Sequence, residues 1–331
     1  MLKLLLIILL FFKSISTFTK DFEENIKIIF GSCSNQNKTM KHWEHINSFN
    51  PHYLILLGDN VYGDFNTSLA ENLKNAYSKL NKNKYFNKLR SNSIILPIWD
   101  DHDYGKNDGS KNWLYKDQSK TIFLDFFGIS SNDKRRMRDG VYFSYIFGSR
   151  VKIKVLGLDT RYFKDEFKKN KNINKKYISD NNLDKTILGE MQWKWLDSEI
   201  KDNYDILFVM SSIQVLAKDH GWEKWNNFPH ERKRLLDLID RNKKITIILS
   251  GDRHMGGFYK YNDNIYEVTS SSFNQKTFNS IEKDEYIIGE VITPNNFGFI
   301  EISNINKTIN IELASGFYEN RRVFRSLKIN F

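Results

Sequence analysis

The chain has 331 residues, of which 40% are hydrophobic and 15% aromatic, and a formal net charge of +10. Apolar residues gathered into short runs at this length exclude a disordered polymer and predict a sizeable buried core. A single cysteine, Cys33, excludes an intramolecular disulfide framework, which leaves it as a buried small hydrophobe or a ligand.

At the start, Lys3 precedes an uninterrupted apolar run from Leu4 to Phe12 and the small residues Ser14-Ile15-Ser16. This pattern predicts a secretory signal peptide over residues 1–16, ahead of one domain over 17–331. The run is well short of the ~20 apolar residues that span a bilayer, and no later segment reaches that length, so no transmembrane helix is expected in the mature chain. The expected location is the secretory pathway, either secreted or in an endomembrane lumen, with Asn37, Asn66 and Asn306 as possible glycan acceptors. Loss of the leader removes Lys3 and Lys13 and no acid, which lowers the net charge from +10 to +8. The excess gathers in Lys134 to Arg138 and Lys164 to Lys185, read as solvated loops; steering of anionic substrates is the sharper reading. No nucleic-acid recognition motif stands out.

An apolar run from Ile26 to Phe30 ends in Gly31-Ser32-Cys33-Ser34-Asn35, and the spacing of Met40, Trp43, Ile46 and Phe49 predicts a helix over Thr39 to Phe49. A second run, Tyr53 to Leu57, ends in Gly58-Asp59-Asn60-Val61-Tyr62-Gly63-Asp64. Leu69 to Leu89 has helical spacing and leads to a third run, Ile94 to Ile98. That run delivers Trp99-Asp100-Asp101-His102-Asp103-Tyr104-Gly105-Lys106-Asn107-Asp108. Strands alternating with helices predict a parallel sheet, whose ligand sites lie at the carboxyl ends of its strands. A helix over Ser119 to Phe127 follows, then a hairpin of Val141–Phe147 and Val151–Leu158 ending in Asp159-Thr160-Arg161-Tyr162. Helices open at Leu188 and Pro229, and strands run over Ile206–Met210 and Ile245–Leu249, the latter ending in Ser250-Gly251-Asp252-Arg253-His254. Phe258–Tyr261, Ile265–Thr269, Phe297–Ile302 and Ile309–Leu313 are expected to be closing antiparallel strands. The chain shows no internal repeat and no convincing linker.

Carboxylates at the end of a buried strand need cations or hydrogen bonds to stay ionised. Asp59, Asp101, Asp252, His254, Cys33 and Tyr62 therefore form a candidate multinuclear metal site, able to clamp both sides of a phosphorus centre. Thiolate and phenolate together suit ferric iron better than magnesium. Taken singly, Asp59-Asn60 and Gly251-Asp252 read as ordinary turns; their joint occurrence at successive strand ends favours ligands. His102 can satisfy a core hydrogen bond, or act as a protonated general acid between Asp101 and Asp103. Arg161 offers either an ion pair to Asp159 or a planar fork to a phosphate, and Arg253 is similarly ambiguous.

These stretches resemble the alkaline phosphatase D, or PhoD-like, family of metallophosphatases. The matching pieces are Gly31-Ser32-Cys33, Gly58-Asp59-Asn60-Val61-Tyr62, Trp99 to Gly105 with Asn107-Asp108, Leu158-Asp159-Thr160-Arg161, Leu188 to Leu196 and Ser250-Gly251-Asp252-Arg253-His254. They follow the family's order from Gly31 to about Gly257. The resemblance implies an α/β, metallophosphoesterase-like sandwich of two mixed β-sheets flanked by helices. It implies hydrolysis of phosphomonoesters, phosphodiesters or both, of small-molecule or lipid origin, through a metal-bound hydroxide or oxide. By similarity Cys33 and Tyr62 would bind iron (Fe3+), Asp59 would bridge to calcium, and Asp252 and His254 would complete the calcium site; other divalent metals are alternatives. Asp101 stands where wider metallophosphatases carry a ligand Asn, and Asn107 competes for that role. His102 would protonate the leaving oxygen and Arg161 would hold the phosphate. Cys33 replaces the Asp-x-His opening of the wider superfamily. The β-sandwich domain that many bacterial relatives carry before the catalytic one is not expected ahead of Gly31, so specificity does not carry over. The alternative is an inactive secreted protein of this fold that binds anionic ligands.

Overall fold

Alternation along the strands decides the layering. In β1 (Asn25–Gly31), Ile26, Ile28 and Phe30 face one apolar cluster and Ile29 another; in β2 (Tyr53–Leu57), Tyr53, Ile55 and Leu57 part from Leu54 and Leu56 in the same way. Successive side chains point to opposite faces, so strands apolar throughout must be covered on both sides. The computed structural model describes residues 24–171, 175–277, 282–315 and 322–331, and the expected leader over residues 1–16 lies outside them.

β1, β2 and β3 (Ile94–Ile98) are parallel. β10 (Asn296–Ser303) pairs antiparallel with β1, and β11 (Thr308–Ser315) and β12 (Val323–Asn330) extend the edge, giving the order β12-β11-β10-β1-β2-β3. The second sheet runs β4-β5-β6-β7-β9-β8, built from β4 (Phe143–Phe147), β5 (Ile153–Gly157), β6 (Ile206–Ser211), β7 (Ile245–Ser250), β8 (Gly256–Lys260) and β9 (Ile265–Ser270). Ile28, Phe30 and Ile55 meet Val155, Phe208 and Leu249 between the sheets, each such burial contributing roughly 1.5–3 kcal/mol. Phe30 lies across Gly298, its partner on β10, where a Cβ would fall 2.0 Å from the ring.

Helices cover both outer faces. α1 (His42–Asn47), α2 (Glu71–Asn81), α3 (Lys84–Asn92) and α5 (Lys116–Phe126) bury Trp43, Leu73, Phe86 and Phe123 against the first sheet. α7 (Gly189–Glu199) and α8 (Pro229–Asp240) bury Trp193, Leu196, Leu235 and Ile239 against the second. The short α4 (Asp101–Tyr104) follows β3, and α6 (Lys134–Met137) precedes β4. The two-sheet sandwich of mixed sheets flanked by helices is therefore as expected.

Four local expectations are corrected. The helix expected over Leu69 to Leu89 is two, because the Asn83 side chain accepts from the amides of Tyr85 and Phe86 at 3.0 Å each and starts α3 afresh. β9 pairs antiparallel with β8 but parallel with β7. β12 was not anticipated; half of its residues are polar and half are exposed. The basic segments are not simply solvated: Lys164, Phe167, Tyr177 and Arg135 are buried, with Lys164 Nζ 3.0 Å from Glu223 and Arg135 2.7 Å from Asp133. Buried aromatics pull these loops onto the protein.

At one end the sheets are tied together. Ser32, just after β1, bridges to Ser271 beyond β9, and the Phe273 amide donates to the Ser32 carbonyl at 2.9 Å. The carboxyl ends of β1, β2, β3, β5, β6 and β7 thus converge.

Candidate metal centre

The segments leaving β1, β2 and β7 turn sharply. Cys33, Asp59, Asp252 and His254 have φ of 60°, 49°, 62° and 50°, four of the nine described non-glycine residues in the left-handed region. Such backbone costs of order 1–3 kcal/mol per residue and persists only where the surroundings enforce it. Gly58, at φ 99°, lets the turns after β2 and β3 approach: a Cβ there would lie 2.5 Å from that of Asp100. The amides of Cys33 and Ser34 donate to the carbonyls of Gly58 and Asp59 at 3.3 and 2.9 Å, which fixes the turn after β1 on the turn after β2.

The side chains then meet. The Cys33 thiol donates to Asp59 Oδ2 at 3.5 Å, and Ser271 Oγ donates to Cys33 Sγ at 3.2 Å. Asp59 Oδ1 and Asp101 Oδ1 both accept from the His102 amide, at 3.2 and 3.0 Å, so the two carboxylates share one approach. Tyr62 Oη lies 3.3 Å from His254 Nε2, and the Gln36 side-chain amide clamps the Tyr62 main chain with two bonds of 2.8 Å. Ligand atoms of Cys33, Asp59 and His254 lie within 4.8 Å of one another, as do those of Asp59, Asp101 and His102, so Asp59 joins both groups. Asp252 feels the charges of Asp100, Asp101 and Glu223, and its carbonyl lies 3.9 Å from Cys33 Sγ. Asn107 is exposed on the wall of an adjoining cavity. A third group, unforeseen, comprises Asp101, Asp108 and Glu223.

Electrostatics show what the cluster lacks. Burial, with Asp101 adding to it, raises Asp59 well above the usual carboxylate range; burial and then Asp100 do the same to Asp252. Burial opposes ionisation of Asp101 too, but His102, Arg161 and the Asp108 amide hold it below its ordinary value. Burial pushes the Cys33 thiol up to about 12, raises Tyr62 and lowers His254 to about 4. Burial also disfavours the charged form of His102, yet Asp59, Asp101 and Asp64 outweigh it and carry the imidazole up to about 11. Buried acids that resist ionisation next to a neutral imidazole are the donor set whose preferences a bound cation inverts. The mix of thiol, phenol, imidazole and carboxylates fits a transition metal beside an oxygen-liganded cation.

Around the centre sit supports whose roles were not legible. Asp103 accepts from the Val61 amide at 3.0 Å, Asn60 Nδ2 at 2.9 Å and the Asp100 amide at 3.2 Å, bracing the turn after β2 on α4. Asp64 Oδ2 lies 2.5 Å from His102 Nδ1. Arg161 is fully buried; Nε donates to Asp100 Oδ1 and Nη1 to Glu223 Oε2, each at 2.6 Å. The alternative ion pair to Asp159 is therefore corrected. Asp159 accepts instead from the amides of Arg161 and Tyr162 and from Trp99 Nε1, while Gln192 holds its main chain. Arg253 pairs with Glu282. Proximity to Tyr62 was the one signal for Asp64, and nothing marked Glu223.

The fold is shared with several solved structures. The PhoD structure shares 14% identity at a TM-score of 0.72, covering 92% of this chain and 69% of that one. GAP50, the anchor in the inner membrane complex of Plasmodium, shares 12% at 0.63, covering 93% and 89%. The purple acid phosphatase PPD1 of yellow lupin seeds shares 10% at 0.61; 93% of this chain spans 54% of that one, about half its length. At these identities the likeness shows the fold. No curated protein matches by sequence. The family model of the PhoD-like phosphatases, however, matches residues 28–303, a span that contains the carboxyl ends of β1, β2, β3, β5, β6 and β7, and the chain therefore belongs to the PhoD-like phosphatase family.

Proposed function

We propose that the chain is a metal-dependent phosphoesterase of the secretory pathway, secreted or lumenal. Its cations would be held by Cys33, Asp59, Tyr62, Asp101, Asp252 and His254. One observation carries the reading: four strained residues in the three turns after β1, β2 and β7 gather buried ligand groups at one place, with Asp101 joining from α4. Ferric iron with calcium, or another divalent cation, would supply Lewis-acid polarisation of the phosphoryl group and a water nucleophile at neutral pH.

The chain's own residues do the rest. Asp64 holds Nδ1 of His102, which leaves Nε2 to give a proton to the departing ester oxygen. Tyr62 packs against that imidazole with ring centroids 4.2 Å apart and limits its rotation. Arg161, turned inward onto Asp100 and Glu223, is here a positioning residue: it fixes the residue from which α4 starts, and α4 carries Asp101 and His102. The exposed acceptors Asn37, Asn66 and Asn306 fit a secretory location, which a mobility shift on glycosidase treatment of the secreted protein tests.

GAP50 shares the fold as an anchor, so activity needs its own test. Metal analysis of the purified chain is paired with hydrolysis of p-nitrophenyl phosphate and bis(p-nitrophenyl) phosphate, with and without calcium. Bound iron and calcium-dependent turnover are expected. A folded, metal-free protein that stays inactive after reconstitution overturns the proposal in favour of an anion-binding protein.

A further inference from the structure

A cavity of about 350 Å³ opens beside the centre, between the segment 106–113 on one side and residues 164–169 with Lys176 and Tyr177 on the other. Asp108 joins the first of these walls to the centre. Its amide donates to Asp101 Oδ2 at 2.7 Å, and its carboxylate lies within 4.8 Å of those of Asp101 and Glu223. The walls are fixed across the gap: Tyr177 Oη donates to Asp108 Oδ2 at 2.7 Å, and the Lys111 amide donates to the Lys164 carbonyl at 2.7 Å. The space is therefore built by the fold, within the range of small-molecule sites.

Its lining has two characters. Trp113, Phe167 and Tyr177 supply flat apolar surface. Lys106 and Lys169 supply positive charge with no ion-pair partner among the described residues, against one similarly unpaired acid, Glu166. Lys106 Nζ lies 5.8 Å from the Trp113 ring centre, and Trp113 Nε1 is a buried donor with no acceptor. An unmet donor beside unpaired ammonium groups selects an acceptor with negative charge.

Resting on the phosphoesterase reading, we infer that this cavity is a substituent subsite and that the preferred substrate is a phosphodiester whose second, retained substituent is anionic. In the reaction, a water oxygen bonds to phosphorus as the P–O bond to the leaving group breaks. His102 gives its proton to the departing oxygen, and the water's proton passes to solvent. The retained substituent reaches past Asp108, its charge towards Lys106, Lys169 and Trp113 Nε1.

The test uses p-nitrophenyl diesters of the metal-loaded protein's four candidate classes: 2-carboxyethyl, 2-phosphonoethyl, propyl and 2-trimethylammonioethyl. The wild type should favour an anionic diester over the propyl ester by about five- to tenfold in kcat/KM, expressed in KM, with the trimethylammonioethyl ester poorest. The two anionic arms tell carboxylate from phosphonate. In the Lys106→Gln, Lys169→Gln double variant the anionic-to-propyl ratio should collapse to near one, and Trp113→Phe should reduce it. Because the ratio is internal to each variant, partial loss of folded protein cancels. Equal kcat/KM across the series, or a preference that survives in the double variant, overturns the inference. If no ester is turned over, the phosphoesterase reading has failed, and calorimetry with the 2-carboxyethyl ester of methylphosphonic acid then tests the cavity alone. Binding lost in the double variant supports the subsite, and no binding by the wild type overturns it.

Discussion

Replacing His102 by Gln removes the proton donor while keeping a side chain that can bond to Asp64. A positioned general acid contributes 10²- to 10⁴-fold, roughly 2.7–5.4 kcal/mol of barrier at 1.36 kcal/mol per decade. The loss should depend on the leaving group. A simple alkyl phosphate, whose alkoxide cannot depart unprotonated, should lose about 10³-fold in kcat, whereas a 2,4-dinitrophenyl ester, whose phenolate needs no proton, should lose less than about tenfold. Asp64→Asn should cost far less: the Asp64 side chain is 41% exposed, so solvent screens its charge, and a loss of about fivefold is expected. Its signature is a basic limb of the pH–rate profile moved to lower pH, because Asp64 is one of the groups that raise His102. The assay is steady-state hydrolysis of both ester classes by wild type and both variants at matched metal loading. Equal losses for alkyl and dinitrophenyl esters in the Gln variant would show that His102 does not protonate the leaving oxygen.

Asp103→Ala strands the Val61 and Asp100 amides and leaves Asn60 Nδ2 with only the Ile98 carbonyl, and should cost about 3–5 kcal/mol in urea denaturation, with weakened metal retention. A loss below about 1 kcal/mol would mean that the turn after β2 does not depend on this brace. Arg161→Ala leaves Asp100 and Glu223 buried without their guanidinium and should destabilise by about 3–5 kcal/mol; a fully stable variant that merely binds phosphate less well would return Arg161 to the phosphate-holding role. In chelator-treated protein, His102 keeps its proton up to about 11 while in the unfolded chain it titrates near 6.5. The folded state therefore binds more protons between pH 7 and 8, and stability should fall as pH rises, by up to about 1.4 kcal/mol per unit. Denaturation curves at pH 7.0, 7.5 and 8.0 should show this slope in the wild type and lose it in the Gln variant; a slope retained in that variant would assign the effect to other groups.

What the sequence revealed, and what it hid, follows from the range of the interactions. Cys33, Asp59, Asp252 and His254 were legible because each closes a buried strand, and strands announce themselves through runs of five or six residues. The break at Asn83 rests on one side chain capping two amides, a signal that helical spacing overrides. Glu223 was invisible: it lies in the connection between β6 and α8, and its partner Arg161 is 62 residues away. Gln192 and Asp159 stood within recognised motifs, yet their bond spans 33 residues, and only the fold shows that it holds Asp159 rather than a ligand.

The stretch from Trp99 to Asp108 makes the same point within ten residues. Its four aspartates follow β3 closely, and of them Asp101 was the candidate ligand. A helical turn, however, rotates successive side chains by about 100°, so neighbours cannot all face one centre. Asp100 turns to Arg161 and Ser212, Asp101 to Asp59 and the centre, Asp103 back to Asn60 and Val61, and Asp108 to the cavity wall. One carboxylate in four is thus placed to serve a cation beside Asp59. The other three make that placement rigid: an ion pair beneath the start of α4, a brace to the neighbouring turn and an anchor for the adjoining wall. All four jobs need an anion near the end of β3, and the turn of α4 together with the loop that follows it distributes them.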